Sequence, residues 1–217
     1  MRCGRLVVRR NVWMRRLSCA TLFLTCALLV GTSRGDQCTR VTLSETRDTS
    51  TEYFVVFCAR KSLPHGPGHS FVVWVKQEAG SRPVGSGYGF YPTADRVVWH
   101  LFTGIGKVSD ESQRAASIRR HLLTHRLVVR VDQETYEASQ EARRTWRRGR
   151  PGYRIFSRNC THFTHAISRS VFPEAPEPRY GERPPTYLQR LASFAEKATA
   201  GTRRQPSLAA PMPATRR

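Results

Sequence analysis

Between residues 52 and 102 the chain runs through four apolar stretches rich in β-branched and aromatic residues, with turn or loop chemistry between them and no helical period. Parallel strands need long crossover segments between them, usually helices. None fits in this half of the chain, so a doubly wound parallel sheet is excluded and an antiparallel-leaning sheet is expected. The first run is Glu-Tyr-Phe-Val-Val-Phe-Cys (52–58), a buried strand. Pro64-His65-Gly66-Pro67-Gly68 is a turn cluster. A second strand covers 69–75, a loop 77–83, and a glycine-rich aromatic strand 85–91, twisted or bulged and closed by Pro92. The fourth run is 96–102.

Helical patterns concentrate in the second half. Residues 109–123 read as a helix with Asp110 and Glu111 in its first turn, where acids suit the dipole. A strand follows at 127–131. Asp132 is placed to cap a helix reaching about residue 148, with Thr135, Ala138, Ala142 and Trp146 on one face. Arg143, Arg144, Arg147 and Arg148 crowd its last turns, and Gly149 and Pro151 stop it. A strand-like run, 153–156, leads into a helix that opens at Cys160 and ends before Pro173. A proline-rich crossing (173–185) precedes a last helix, 186–198, whose Tyr187, Leu188, Leu191 and Phe194 can dock. Strands first and helices later give an α+β class, an antiparallel sheet with packed helices.

The two ends read differently. Arg9, Arg10, Arg15 and Arg16 precede an apolar run from residue 17 to 31, long enough for a signal-peptide core and short for a membrane span. Ser33 and Gly35 stand at −3 and −1 of a cut before Asp36. The expectation is a signal peptide over 1–35, with Met14 an alternative start and an uncleaved anchor the alternative reading. A domain over 36–198 and a disordered basic tail over 199–217 complete the organisation. Export to the periplasm or beyond implies an oxidising compartment. Cys38, Cys58 and Cys160 remain after the leader, an odd count that suggests a Cys38–Cys58 disulfide and a free Cys160. The alternative is three reduced packing thiols.

The charge is +20, from 36 Lys+Arg against 16 Asp+Glu. The first 35 residues hold seven arginines and no acid, so the remainder carries +13. Such a field draws anionic partners: an acidic cell-wall polymer, lipopolysaccharide or phospholipid headgroups, with peripheral membrane contact. Nucleic acid ranks behind these. A base-rich genome would give the same arginine bias without function.

The chemistry concentrates at Asn159-Cys160-Thr161-His162-Phe163. A cysteine opening a helix sits in the positive field of its N-terminus, which favours thiolate. Gly68-His69-Ser70-Phe71-Val72-Val73-Trp74 sets a histidine at the mouth of an apolar strand. An imidazole with an ordinary pKa near ~6.5 can take a proton at neutral pH and hold the sulfur ionised. The neighbouring aromatics Trp74, Tyr88, Phe90, Tyr91 and Trp99 read as core, with a substrate groove as the alternative.

Pro67-Gly68-His69-Ser70-Phe71-Val72, Gly89-Phe90-Tyr91-Pro92 and the Cys160 pentapeptide together resemble the circularly permuted papain-like fold. That group includes lecithin:retinol acyltransferase-like proteins and permuted relatives of NlpC-type cell-wall peptidases. The resemblance spans residues 52–172. It implies Cys160 as nucleophile, His69 as base and a thioester intermediate, with no cofactor. The implied function is hydrolysis of an amide in a cell-wall peptide or similar polymer. Alternatives are acyl transfer or deacylation on lipid, or a non-catalytic basic module for an anionic polymer. A third, orienting residue is expected after the histidine. His100 is the histidine on a neighbouring expected strand, with Asp95 or a backbone carbonyl as alternatives. His121/His125 and His162/His165 have helical spacing, but no cysteine or acid joins them at zinc-like spacing, so no metal is expected.

Overall fold

Six strands form one mixed sheet: β1 (Gln37–Thr42), β2 (Thr51–Arg60), β3 (His69–Glu78), β4 (Val84–Pro92), β5 (Gly106–Asp110) and β6 (Leu123–Val131). Their order is β1-β6-β2-β3-β4-β5. Helices α1 (Gln133–Arg148), α2 (Cys160–Val171) and α3 (Pro184–Thr202) follow. This computed structural model describes residues 37–43, 50–61, 68–93, 104–111 and 123–202. No helix among the described residues is long and apolar enough to cross a membrane.

The α+β class holds. β2, β3, β4 and β5 are joined antiparallel in chain order, and β6 returns antiparallel against β2. β1 has no counterpart in the expected pattern, since Gln-Cys-Thr-Arg-Val-Thr carries only Val41 as a large aliphatic residue. It pairs parallel with β6 and makes the sheet mixed. Register then builds the core. Val41, Val129, Val55 and Trp74 align across four strands, and Leu127, Phe57 and Val72 across three. All seven are buried. The helices close this face with Phe163, Ile167 and Val171 from α2 and Tyr187, Leu188, Leu191 and Ala195 from α3.

Several expectations need correction. Residues 109–123 are not one helix: Ser109 and Asp110 end β5, Glu111 is a bend, and Leu123 opens β6. Hydrogen bonding to β4 sets Ser109 and Asp110 as strand, overriding the local acid signal. Tyr153-Arg154-Ile155-Phe156 is not a strand but a turn closed by the Arg154–Arg158 bridge, too short to extend a ladder. In α1 Asp132 does cap, accepting from the Thr135 N–H at 2.7 Å. The buried position is Ser139 rather than Ala138, because the Trp74 indole donates to Ser139 Oγ at 2.7 Å. Tyr136, Ala142 and Trp146 pack beside it. α3 runs to Thr202, past the expected end at 198. The expected strand 96–102, the leader 1–35 and the tail beyond 202 lie outside the described residues.

The Cys38–Cys58 disulfide is overturned. Both cysteines stand opposite Arg126, one on each side of β6. Two strand spacings separate their Cα atoms by roughly 10 Å, beyond the about 7 Å that a disulfide can span. Cys38, Cys58 and Cys160 are all free thiols, Cys58 and Cys160 buried.

The corrected face of α1 is testable. Ser139→Ala leaves the buried Trp74 N–H without its acceptor, and urea unfolding should show a loss of about 1–3 kcal/mol. Ala138→Ser on the exposed side should change stability by less than about 0.5 kcal/mol.

Candidate active site

α2 begins in a built cap. Asn159 Oδ1 accepts from the Thr161 N–H at 2.8 Å and the His162 N–H at 3.4 Å, while its side-chain amide donates back to the Ile155 carbonyl. His162 Nδ1 faces the Asn159 N–H at 3.5 Å and Asn159 Oδ1 at 3.1 Å, closing a capping box. Burial, with the nearby His165 and Arg158 charges, holds the His162 pKa below 6.5 and favours the neutral ring that can accept. His162 therefore caps α2. His165 bonds the Tyr187 hydroxyl at 3.2 Å, and His125 lies on β6; His121 is outside the described residues. No cluster of three His, Cys, Asp or Glu side chains arranged for a metal occurs among the described residues.

The cap sets Cys160 at the first residue of α2, buried at the end of the sheet. His69, the first residue of β3, meets it: the imidazole stands close enough to the Cys160 sulfur for each group to shift the other's titration. Ser70, the next residue of β3, lies beside the sulfur and favours its ionised form. Thr164 Oγ1 lies 3.0 Å from both Ser70 Oγ and the Cys160 carbonyl, tying β3 to the first turn of α2.

The other face of the imidazole is the part that sequence reasoning missed. His69 Nε2 lies 3.1 Å from Glu111 Oε1, leaving Nδ1 as the ring nitrogen for the thiol. Glu111 is 1% exposed. Tyr91 donates its hydroxyl proton to Glu111 Oε1 and accepts from Arg60 Nη2 at 2.9 Å. Arg60 stands 3.9 Å from Glu111 Oε2. The His69 ring stacks on Tyr91 at 4.2 Å between centroids. His100 and Asp95 lie outside the described residues; the group on the free imidazole nitrogen is Glu111.

A signal for this slot was present. Gly85, Gly87 and Gly89 alternate along β4, so one stretch of its surface bears no side chains. A Cβ on Gly89 would lie 2.5 Å from His69 Nε2 and 2.7 Å from Glu111 Oε1, and one on Gly87 3.2 Å from Glu111 Cβ. The glycines make the room in which carboxylate and imidazole meet. Gly68, at φ +90°, turns the chain into His69, and a Cβ there would lie 2.9 Å from the Arg60 carbonyl oxygen.

The electrostatics follow from these contacts. Burial alone pushes the Cys160 pKa up, but the His69 charge and hydrogen bond, with the Ser70 bonds, bring it below 9.0. Burial pulls His69 down, and the Cys160 charge and bond together with Glu111 lift it above 6.5. Burial raises Glu111, but its bonds to His69 and Tyr91 and the His69 and Arg60 charges leave it ionised, below 4.5. These shifts all run in the direction that favours a thiolate–imidazolium pair backed by a carboxylate.

No family model matches the chain, and no curated protein matches it. Among solved structures it is similar to that of the type VI secretion system effector TseH, at 16% identity over 65% of this chain and 88% of that one, with a TM-score of 0.43. At that overlap the likeness carries no argument about the site.

Two variants probe the slot. Glu111→Gln removes the charge that supports the imidazolium, so the midpoint of Cys160 alkylation by iodoacetamide should move up by about one pH unit. Gly89→Ala should do the same by driving His69 from Glu111, whereas Gly149→Ala, at φ −67° with only ordinary contacts around its missing Cβ, should leave the alkylation profile in place.

Proposed function

We propose that this chain is a cysteine hydrolase of permuted papain-like type that cleaves an amide through a thioester on Cys160. The observation that carries the reading is the buried relay Cys160–His69–Glu111, with the sulfur at a capped helix N-terminus. A structural cysteine needs neither an ionised histidine nor a buried carboxylate behind it. The order along the chain, histidine on an early strand and cysteine on a later helix, is that of the permuted enzymes the sequence resembles. The proposed substrate is a peptide-type amide in an extracytoplasmic polymer.

The Cys160 thiolate attacks the acyl carbon, and the carbonyl π pair moves to oxygen. Asn159 occupies the Thr161 and His162 N–H groups. The Phe163 N–H bonds the Asn159 carbonyl. Among the described residues no acceptor takes the Cys160 N–H, which is left to hold the oxyanion. The C–N bond breaks as imidazolium Nδ1 gives its proton to the leaving amine, producing thioester and free amine. Neutral His69 then takes a proton from water, the hydroxide adds to the thioester, and its collapse returns the acid and the Cys160–His69 pair. Glu111 stays ionised throughout and holds the Nε2–H tautomer.

The pH dependence has a defined sign. The active pair forms as pH rises through the lowered Cys160 pKa, below 9.0, and is lost as pH rises through the raised His69 pKa, above 6.5. A bell-shaped kcat/KM profile should result, and Glu111→Gln should shift its alkaline limb to lower pH. Cys160→Ala should reduce hydrolysis of peptide-type amides by at least about a thousandfold. Retained hydrolysis in Cys160→Ala would sink the assignment. Turnover of phospholipid acyl esters but not amides would instead favour the lipid-directed reading.

A further inference from the structure

Outside the thiol site, Arg143, Arg144, Arg147, Arg148 and Arg150 line one open concavity of about 530 Å³ at the C-terminal end of α1. A helix C-terminus favours cations in its last turn, which accounts for Arg147 and Arg148. It does not account for Arg143 and Arg144 upstream or for Arg150 beyond the cap. Glu141 faces both Arg144, at 3.1 Å, and Arg148. Arg143, Arg147 and Arg150 have no carboxylate partner among the described residues. Like charges gathered this closely repel one another, and a bound anion would relieve that repulsion.

Two details set these arginines apart from a solvated basic face. The Arg143 guanidinium lies 4.1 Å from the Tyr88 ring centroid and 6.0 Å from that of Trp74, which holds it in place without neutralising it. Arg150 has φ +42°, while its neighbour Gly149 has φ −67°. Glycine adopts the left-handed conformation freely and arginine does not. Here the chain puts the strained backbone on the arginine with a glycine one residue away. Local strain of this kind collects at functional positions.

We propose that this concavity binds a soluble anion carrying several phosphate groups, through its phosphate oxygens alone. Guanidinium groups match phosphate oxygens in bidentate fashion, and several forks around one hollow select for several phosphates over one. No aromatic ring lines the concavity, so it offers no platform on which nucleic-acid bases could stack. None of the residues of the Cys160 site lines it, so its occupancy stands independently of the proposed hydrolysis.

Titration calorimetry with inorganic tripolyphosphate tests this on the full chain. One site is expected, with orthophosphate binding at least about thirtyfold more weakly. Arg147→Ala/Arg150→Ala should weaken tripolyphosphate binding by at least about tenfold, and Arg40→Ala/Arg169→Ala, which removes equal charge elsewhere, by less than about twofold. Arg150→Gly relieves the strained backbone, so it should weaken binding without lowering the melting temperature. Cys160→Ala should bind as the native chain does. Equal losses in the two double variants would reduce the effect to general attraction and overturn the site. A thymidine oligonucleotide or phosphatidylglycerol vesicles competing better than tripolyphosphate at equal phosphate would overturn the soluble ligand.

Discussion

One imidazole joins two buried groups whose charged forms burial disfavours. Cys160 and Glu111 are both withdrawn from water, and each alone would be pushed toward its neutral form. His69 between them, taking the positive charge, makes both negative forms tenable, and Arg60 adds a second cation at the far end. The shifts favour an alternation of charge along the relay: thiolate, imidazolium, carboxylate, guanidinium. The alternation neutralises the cluster as a whole, so the desolvation of four charges is offset by contacts between neighbours of opposite sign. Replacing one member leaves another uncompensated, which is far more costly than replacing them all with apolar groups. Such a cluster is poor material for stability, which favours the proposed chemistry at the sulfur.

The fold serves this relay at three places. Gly68 turns the chain so that β3 starts on His69. The alternating glycines of β4 clear the slot in which His69 and Glu111 touch. The Asn159 cap fixes where α2 begins, hence where the sulfur stands. The rest of the sheet anchors these points: the rows through Val55 and Phe57 hold β3 against β2 and β6, and Phe163 and Ile167 hold α2 on the same core.

The elements with strong local signals were legible in the sequence: β2, β3 and β4 from apolar runs, and α1 from its Asp132 cap. So was the start of α2 at Cys160. His69 and Cys160 could be paired because each sits at the start of its own element. Glu111 was hidden because Asp110-Glu111 reads locally as a helix N-terminus, while the β4 ladder makes the preceding residues a strand. β1 was hidden because one valine among polar residues gives no alternation, and its pairing comes from β6. The disulfide inference failed for a related reason. A cysteine count is blind to register, and register places Cys38 and Cys58 across an intervening strand. The cap on α2 has a partner in His162, whose position three residues after Asn159 is that of a capping box.

A carboxylate behind the imidazole, rather than a neutral amide, carries a consequence for the proposed cycle. It raises the basicity of His69, so the resting imidazolium is a weaker acid and gives its proton less readily to the departing amine. The same shift makes the neutral ring a stronger base toward water in the second half of the reaction. An aliphatic amine is basic enough to take the proton in either case, so thioester formation loses little. Thioester hydrolysis gains, because it depends on deprotonating water. In the proposed cycle Glu111 thus favours release of the acyl group to water, and the part-buried Tyr91 and Arg60 contacts that favour ionised Glu111 contribute to that bias.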